Sequence, residues 1–187
     1  MIILASNSPR RKELLTRENI NFVIETSNNK EIFDKDMTLE DALMNVALQK
    51  ASPVYEKHQD DIVVGADTIV VINQEILGKP KNHDDAVRML QLLSGKTHEV
   101  MTGVVILNKT NPIKFVEKTQ VTFKELTIDE IEYYITHENV YDKAGSYAIQ
   151  DGAKAFVTKV LGDYDNIIGL PVTKVVKYLK ELSKWNL

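Results

Sequence analysis

The run Ile62–Ile72, IVVGADTIVVI, constrains this chain most strongly. Valine and isoleucine suit a pleated, packed backbone, so the run reads as a strand. It is only about half as long as a membrane-spanning segment and carries Asp67 near its middle, so it reads as sheet and not as a bilayer helix. A carboxylate in such surroundings is costly unless a cation, a metal or a proton-transfer task compensates it. Asp67 directly follows Gly65-Ala66. It is therefore a candidate for chemistry. The structural alternatives are an aspartate capping a turn at a strand end, or one partnered by a core lysine.

Strands and helices alternate around this run. Ile2–Ala5 reads as a short buried strand, followed by a helix from Pro9. Thr38 opens a second helix, with an acid three residues on; Leu39, Leu43, Val46 and Ala47 form its apolar face, and Lys50 continues that face. His83–Leu93 is a third helix, closed by Gly95. Strands are expected around Glu99–Leu107 and Lys114–Leu126, with Asn108–Pro112 turning between them. Thr127 caps a fourth helix, Gly145–Val160 is loop plus strand, and Pro171 suits the first turn of a last helix ending near Leu182. The expectation is an α/β fold, a mixed sheet flanked by helices. With 187 residues and no repeat or Gly/Ser-rich linker, one domain over residues 1–187 is expected, in two lobes without a separable linker.

Composition removes several classes of function. The absence of cysteine excludes disulfides, thiolate catalysis and zinc–thiolate sites. His58, His83, His98 and His137 lack zinc-ligand spacing. A net charge of −4 gives no global attraction for nucleic acid, and no stripe of aromatic and basic residues is present. The first residues, MIILASNSPRR, carry no charge before a short apolar run, which argues against a signal peptide and for the cytoplasm. Neither a nucleic-acid polymer nor a membrane is expected as a partner.

A polyanion must then be gripped locally, and Ser6–Lys12 suits that task. Ser8 is a good N-cap and Pro9 a good first helical residue. Arg10, Arg11 and Lys12 follow, three cations where the helix macrodipole is already positive. A bound anion would resolve the conflict, held by free N–H groups, serine hydroxyls and guanidinium forks. The alternative is that the arginines point to solvent or pair with acids such as Glu13. Lys79, in the turn Gly78-Lys79-Pro80, and Lys50 can join such a site, although either alone suits a surface. Glu31, in the polar loop Asn28–Asp36, can offer oxygen to Mg²⁺, or the loop is simply solvated. Ser94-Gly95-Lys96-Thr97 looks like the tail of a phosphate-binding loop, but leucine stands at position 90 where that pattern needs glycine. Ser8 has no histidine–acid pair to make it a nucleophile.

Six blocks in order, LASNSPRRKELL, VVGADTIVV, ILGKP, SGKTHEVMTGV, AGSYAIQDGAKAF and GDYDNIIGLPV, resemble the Maf proteins, which share a fold with the inosine triphosphate pyrophosphatases. The resemblance implies a cleft between two lobes. It also implies a metal-dependent pyrophosphatase converting nucleoside triphosphates to monophosphate and pyrophosphate, with Mg²⁺ or Mn²⁺ as cofactor. The family is also linked to septum formation, so a non-enzymatic nucleotide- or protein-binding regulator of cell division is the rival. On the resemblance, Ser8, Arg10 and Arg11 fall on the phosphate-binding motif and Asp67 on the proton acceptor, with Glu31, Lys50 and Lys79 on polar positions of the cleft. The metal would be held by Glu31 and Asp67.

Three positions separate the branches of the family. Arg10, Thr68 and Gln150 match the dTTP/UTP pattern, whereas relatives of the 7-methyl-GTP branch tend to tryptophan, glutamine and glutamate there. A neutral amide at Gln150 can both donate to and accept from a pyrimidine edge. A small-molecule nucleotide is thus the expected partner, and the resemblance allows a homodimer. Two departures stand out. Asp151 and Ala153 replace common glycines, and the loop before Glu31 is asparagine-rich where many relatives carry two acids.

Overall fold

The computed structural model describes residues 1–184. Strand β1 (Ile2–Leu4) lies parallel to both β2 (Val23–Ile24) and β3 (Ile62–Ile72), with Ile3 opposite Val23 and Val63. Strand β4 (Glu75–Leu77) folds back antiparallel on β3. Strands β5 (Thr97–Leu107), β6 (Ile113–Phe123) and β7 (Val157–Leu161) complete the sheet in the order β2-β1-β3-β5-β6-β7. Pairing of β6 with β7 is antiparallel. The helices are α1 (Pro9–Arg17), α2 (Leu39–Tyr55), α3 (His83–Leu93), α4 (Ile128–His137), α5 (Tyr164–Ile168) and α6 (Val172–Lys184). The expected mixed sheet with helices is what the chain forms.

Helix starts follow their capping chemistry. Ser8, Thr38 and Thr127 each accept a hydrogen bond from the backbone N–H three residues on, and Thr127 with Glu130 forms a complete capping box. Gly95 adopts φ +67° just after α3, the left-handed conformation expected of a helix stop. Pro171 stands directly ahead of α6, and its carbonyl accepts from the N–H groups of Lys174 and Val175. The segment Ser94–Thr97 is structural: Ser94 Oγ accepts from Leu126 N, and Gly95 N donates to the Lys124 carbonyl. Strands β2 and β4 and helix α5 carry no periodicity long enough to read from sequence.

The chain divides into two compact units, each interleaved in sequence. Unit 1 comprises Met1–Asp67, Thr102–Glu117 and the chain from Gly169 on; unit 2 comprises Thr68–Met101 and Lys118–Ile168. In unit 1, Ile3, Ala5, Ala47, Ala51, Val54, Val63, Val105 and Leu107 form one core. Gly65 and Gly103 let α2 approach β3 and β5 closely. A Cβ on Gly65 would lie 2.4 Å from the Ala47 carbonyl oxygen, and one on Gly103 would lie 2.9 Å from atoms of Leu43. In unit 2, α3 and α4 contribute Met89, Leu90, Leu93, Ile131 and Tyr134 to a second core with Phe123, Tyr147 and Phe156. Among the described residues, no helix is long and apolar enough to cross a membrane.

Candidate active site

In unit 1, β3 carries Asp67 and α2 carries Lys50. The Lys50 ammonium donates to Asp67 Oδ1 at 2.5 Å, and both side chains keep only about a fifth of their exposure (21% and 23%). Close packing of α2 on Gly65 brings the ammonium within reach, because Ala47 and Ala51 flank Lys50 on the helix. The lysine compensates the charge of a carboxylate set in an apolar strand. Asp67 is thus partnered by a lysine, as one structural alternative required, and is still partly open to a reactant.

The start of α1 supplies the second element. Arg11 is buried; its Nε donates to the Gly169 carbonyl (2.8 Å) and its Nη1 to Ser6 Oγ (3.2 Å). Ser6 Oγ also accepts from Ser8 N, while Ser8 Oγ accepts from Arg11 N. Arg11 therefore points inward, which removes the solvent-facing alternative for this residue. Burial pulls its guanidinium below the ordinary value, the charge of Asp67 pushes the other way, and Arg10 adds to the lowering. Arg11, Lys50 and Asp67 thus belong to one electrostatic neighbourhood, and Arg10 is half-buried beside it in sequence. Ser6 opens the run that the sequence marks as an anion grip, whereas the Gly169 carbonyl carries no signal in sequence and only the tertiary fold selects it as a partner of Arg11.

Glu31 is exposed, in the irregular segment that precedes α2. Among the described residues no group of three or more His, Asp or Glu side chains could hold a metal. Oxygen donors such as Asp67 and Glu31 suit a hard cation that shares its coordination with water and substrate phosphates, which is how Mg²⁺ is usually bound.

Unit 2 holds the other expected residues. Thr68 follows Asp67 on β3, and Lys79 is exposed in the turn after β4. That turn is tied to the AGSYAIQ segment, since Gly145 N donates to the Gly78 carbonyl at 3.0 Å with Gly145 at φ +69°. Gln150 is exposed at the end of the same segment. Three contacts pin it: Ala148 N donates to the Tyr134 hydroxyl, Ser146 Oγ meets Met89 Sδ, and the Tyr147 hydroxyl meets His98 Nε2 at 2.7 Å. Asp151, one of the two departures, lies 3.5 Å from the ammonium of Lys143, a buried lysine that also binds Asp142 and the Asn139 carbonyl. Lys143 carries no distinguishing spacing in the sequence, and His98 stands out there only as one of four histidines without zinc-ligand spacing.

His98 is buried between Phe123 and Tyr147, with Nδ1 lacking a hydrogen-bond partner, and burial pushes its pKa down from 6.5 to about 4. The unfolded chain takes up this proton below about pH 6.5, whereas the folded protein refuses it until about pH 4. Stability is expected to fall as pH drops through that window, by about 1.4 kcal/mol per unit and about 3 kcal/mol in total. Urea midpoints between pH 7 and pH 4.5 check this. The wild type should lose more stability over the range than His98→Gln, and equal slopes would place the pH dependence elsewhere.

An α/β protein with a lysine-paired aspartate on a central strand, next to a serine-capped, arginine-bearing helix start, has the parts of an anion-handling enzyme. The chain belongs to the Maf-like protein family, whose model matches residues 1–182. A protein of Bacillus cereus (strain G9842) named dTTP/UTP pyrophosphatase is 52% identical over 182 residues, covering 97% of this chain and 95% of that protein. A protein of the same name from Bacillus cytotoxicus (strain DSM 22905) is 50% identical over 181 residues, with 97% and 95% covered. Among solved structures, the Staphylococcus aureus Ham1 protein matches with a TM-score of 0.44 at 11% identity, over 65% of this chain and 71% of that one.

Proposed function

We propose that this chain is a nucleoside triphosphate pyrophosphatase acting on dTTP and UTP, releasing the monophosphate and pyrophosphate. The observation that carries the reading is the Lys50–Asp67 pair beside the buried Arg11, a carboxylate and cations in one neighbourhood. Relatives about half identical over nearly their whole length bear the corresponding name. Water attacks the α-phosphorus in line with the departing pyrophosphate. Asp67 accepts the proton of that water, with Lys50 holding Oδ1 and so orienting the carboxylate. Arg10, Arg11, Lys50 and Lys79 offset the charge of the transferred group and the leaving pyrophosphate, so positioning and electrostatics carry most of the rate. Ser8 contacts phosphate, and Thr68 and Gln150 select the pyrimidine. Asp67 and Glu31 would hold Mg²⁺ or Mn²⁺, which supplies further charge neutralisation at the phosphates. The substrate is a small molecule met in the cytoplasm, without a nucleic-acid polymer or membrane, and the protein works as one domain, alone or as a homodimer.

Hydrolysis of dTTP in ¹⁸O-labelled water tests the reaction. The label is expected in dTMP, as attack on the α-phosphorus requires. Label in the pyrophosphate, or no turnover of dTTP or UTP, would overturn the proposal.

A further inference from the structure

Gln49 precedes Lys50 on α2 and makes an unusual contact. Its Oε1 accepts from Ile32 N at 2.8 Å, and its Nε2 donates to the Ile32 carbonyl at 2.8 Å. One carboxamide thus pairs with both backbone groups of one residue, as a neighbouring strand would. The partner lies in an irregular, polar segment with neither helix nor strand from residue 25 to residue 34, tied to β1 at its start by Glu25 N donating to the Leu4 carbonyl. Fixing such backbone costs about 1–2 kcal/mol per residue, so something must hold it. Apolar burial contributes little, since Ile32 is 68% exposed and the neighbouring Phe33 is only half-buried.

We propose that Gln49 is the positioning residue for Glu31. Glu31 adjoins Ile32, with its Cα about 3.8 Å away along the chain, and Gln49 adjoins Lys50, which holds Asp67. The two hydrogen bonds therefore dock the Glu31 segment onto the same stretch of helix that presents the lysine. An acid on an otherwise solvated loop is thereby held against α2 through the backbone of its neighbour. The inference rests on the pyrophosphatase reading and on the role given there to Glu31.

The test compares Gln49→Met, which keeps length and removes both hydrogen bonds, with Glu31→Gln and with the double variant, all in the full chain. Gln49→Met is expected to lower kcat for dTTP by about tenfold, the lower end of what losing a group that orients a metal-holding side chain costs. It should also speed amide hydrogen exchange in residues 28–37 and leave the melting temperature nearly unchanged. The double variant should be no slower than Glu31→Gln alone. Losses that multiply, exchange that stays as slow as in the wild type, or full activity in either single variant would each overturn the role of Gln49. A wild-type protein that releases no pyrophosphate would instead refute the activity itself, and Gln49's role with it; the exchange measurement would still report whether the tether exists.

Discussion

Asp67→Asn is expected to abolish pyrophosphate release from dTTP and UTP, lowering kcat by about 10³-fold or more, while the protein stays folded. Asparagine keeps the shape of the side chain and can still accept a hydrogen bond from Lys50, so β3 and α2 have no steric reason to move. It cannot take a proton from water, and removal of a general base typically costs about 10²–10⁴-fold. The variant also leaves the Lys50 ammonium facing a neutral group where it now meets a carboxylate at 2.5 Å. That loses further transition-state organisation. Steady-state kinetics with a pyrophosphate-coupled assay, together with a melting curve, checks both halves of the expectation. An undiminished rate would remove Asp67 from the mechanism, and a collapsed melting transition would make it a structural residue.

Gly65→Ala is expected to be the most damaging small change in unit 1, costing about 3 kcal/mol or more, the upper end of overpacking penalties. The added Cβ would sit 2.4 Å from the Ala47 carbonyl oxygen and 2.9 Å from the Ala51 Cβ. The first of these atoms is backbone, so it cannot move aside by changing rotamer; α2 as a whole must shift off β3. Lys50 lies between those two residues, so the shift also withdraws the ammonium from Asp67. Stability and kcat should therefore fall together, with activity lost even at temperatures where the variant remains folded. Chemical denaturation and kinetics at low temperature separate the two effects. A variant as stable and active as the wild type would mean that α2 can yield there without consequence.

Much of this was legible along the chain because the relevant signals are local. The valine- and isoleucine-rich run around Asp67, the Ser8-Pro9 helix start and the Thr127 capping box each declare themselves within a few residues. Lys50 was legible as the continuation of an apolar helix face, although its partner was not. What escaped depends on contacts across long stretches of sequence. The burial of Arg11 requires the Gly169 carbonyl, 158 residues away. The Gln49 clamp needs a backbone residue 17 positions earlier, and His98 meets Tyr147 at a separation of 49. No periodicity encodes such pairs. Pro53, inside the last turn of α2, likewise goes against the rule that proline ends a helix, and the helix runs on only to Tyr55.

The charge conflict at the start of α1 now has two parts. Arg11 is accounted for by its inward hydrogen bonds, and these also fix the geometry of the helix N-terminus. Arg10 and Lys12 add two further positive charges where the macrodipole is already positive, so the case for an anion at this helix start rests on that accumulated charge, since Pro9 has no N–H and the N–H groups of Arg11 and Lys12 already donate to Ser8. The buried guanidinium contributes its positive charge to the same neighbourhood without needing to touch the ligand.

Turnover of pyrimidine nucleoside triphosphates by this chain can be measured without any variant. A panel of dTTP, UTP, CTP, 7-methyl-GTP and the purine triphosphates, assayed with Mg²⁺ or Mn²⁺ for pyrophosphate release, tests it most directly. dTTP and UTP are expected to be the preferred substrates, each giving monophosphate and pyrophosphate. Nucleotide binding without turnover of any member of the panel would contradict this and would favour a regulator that has kept the fold.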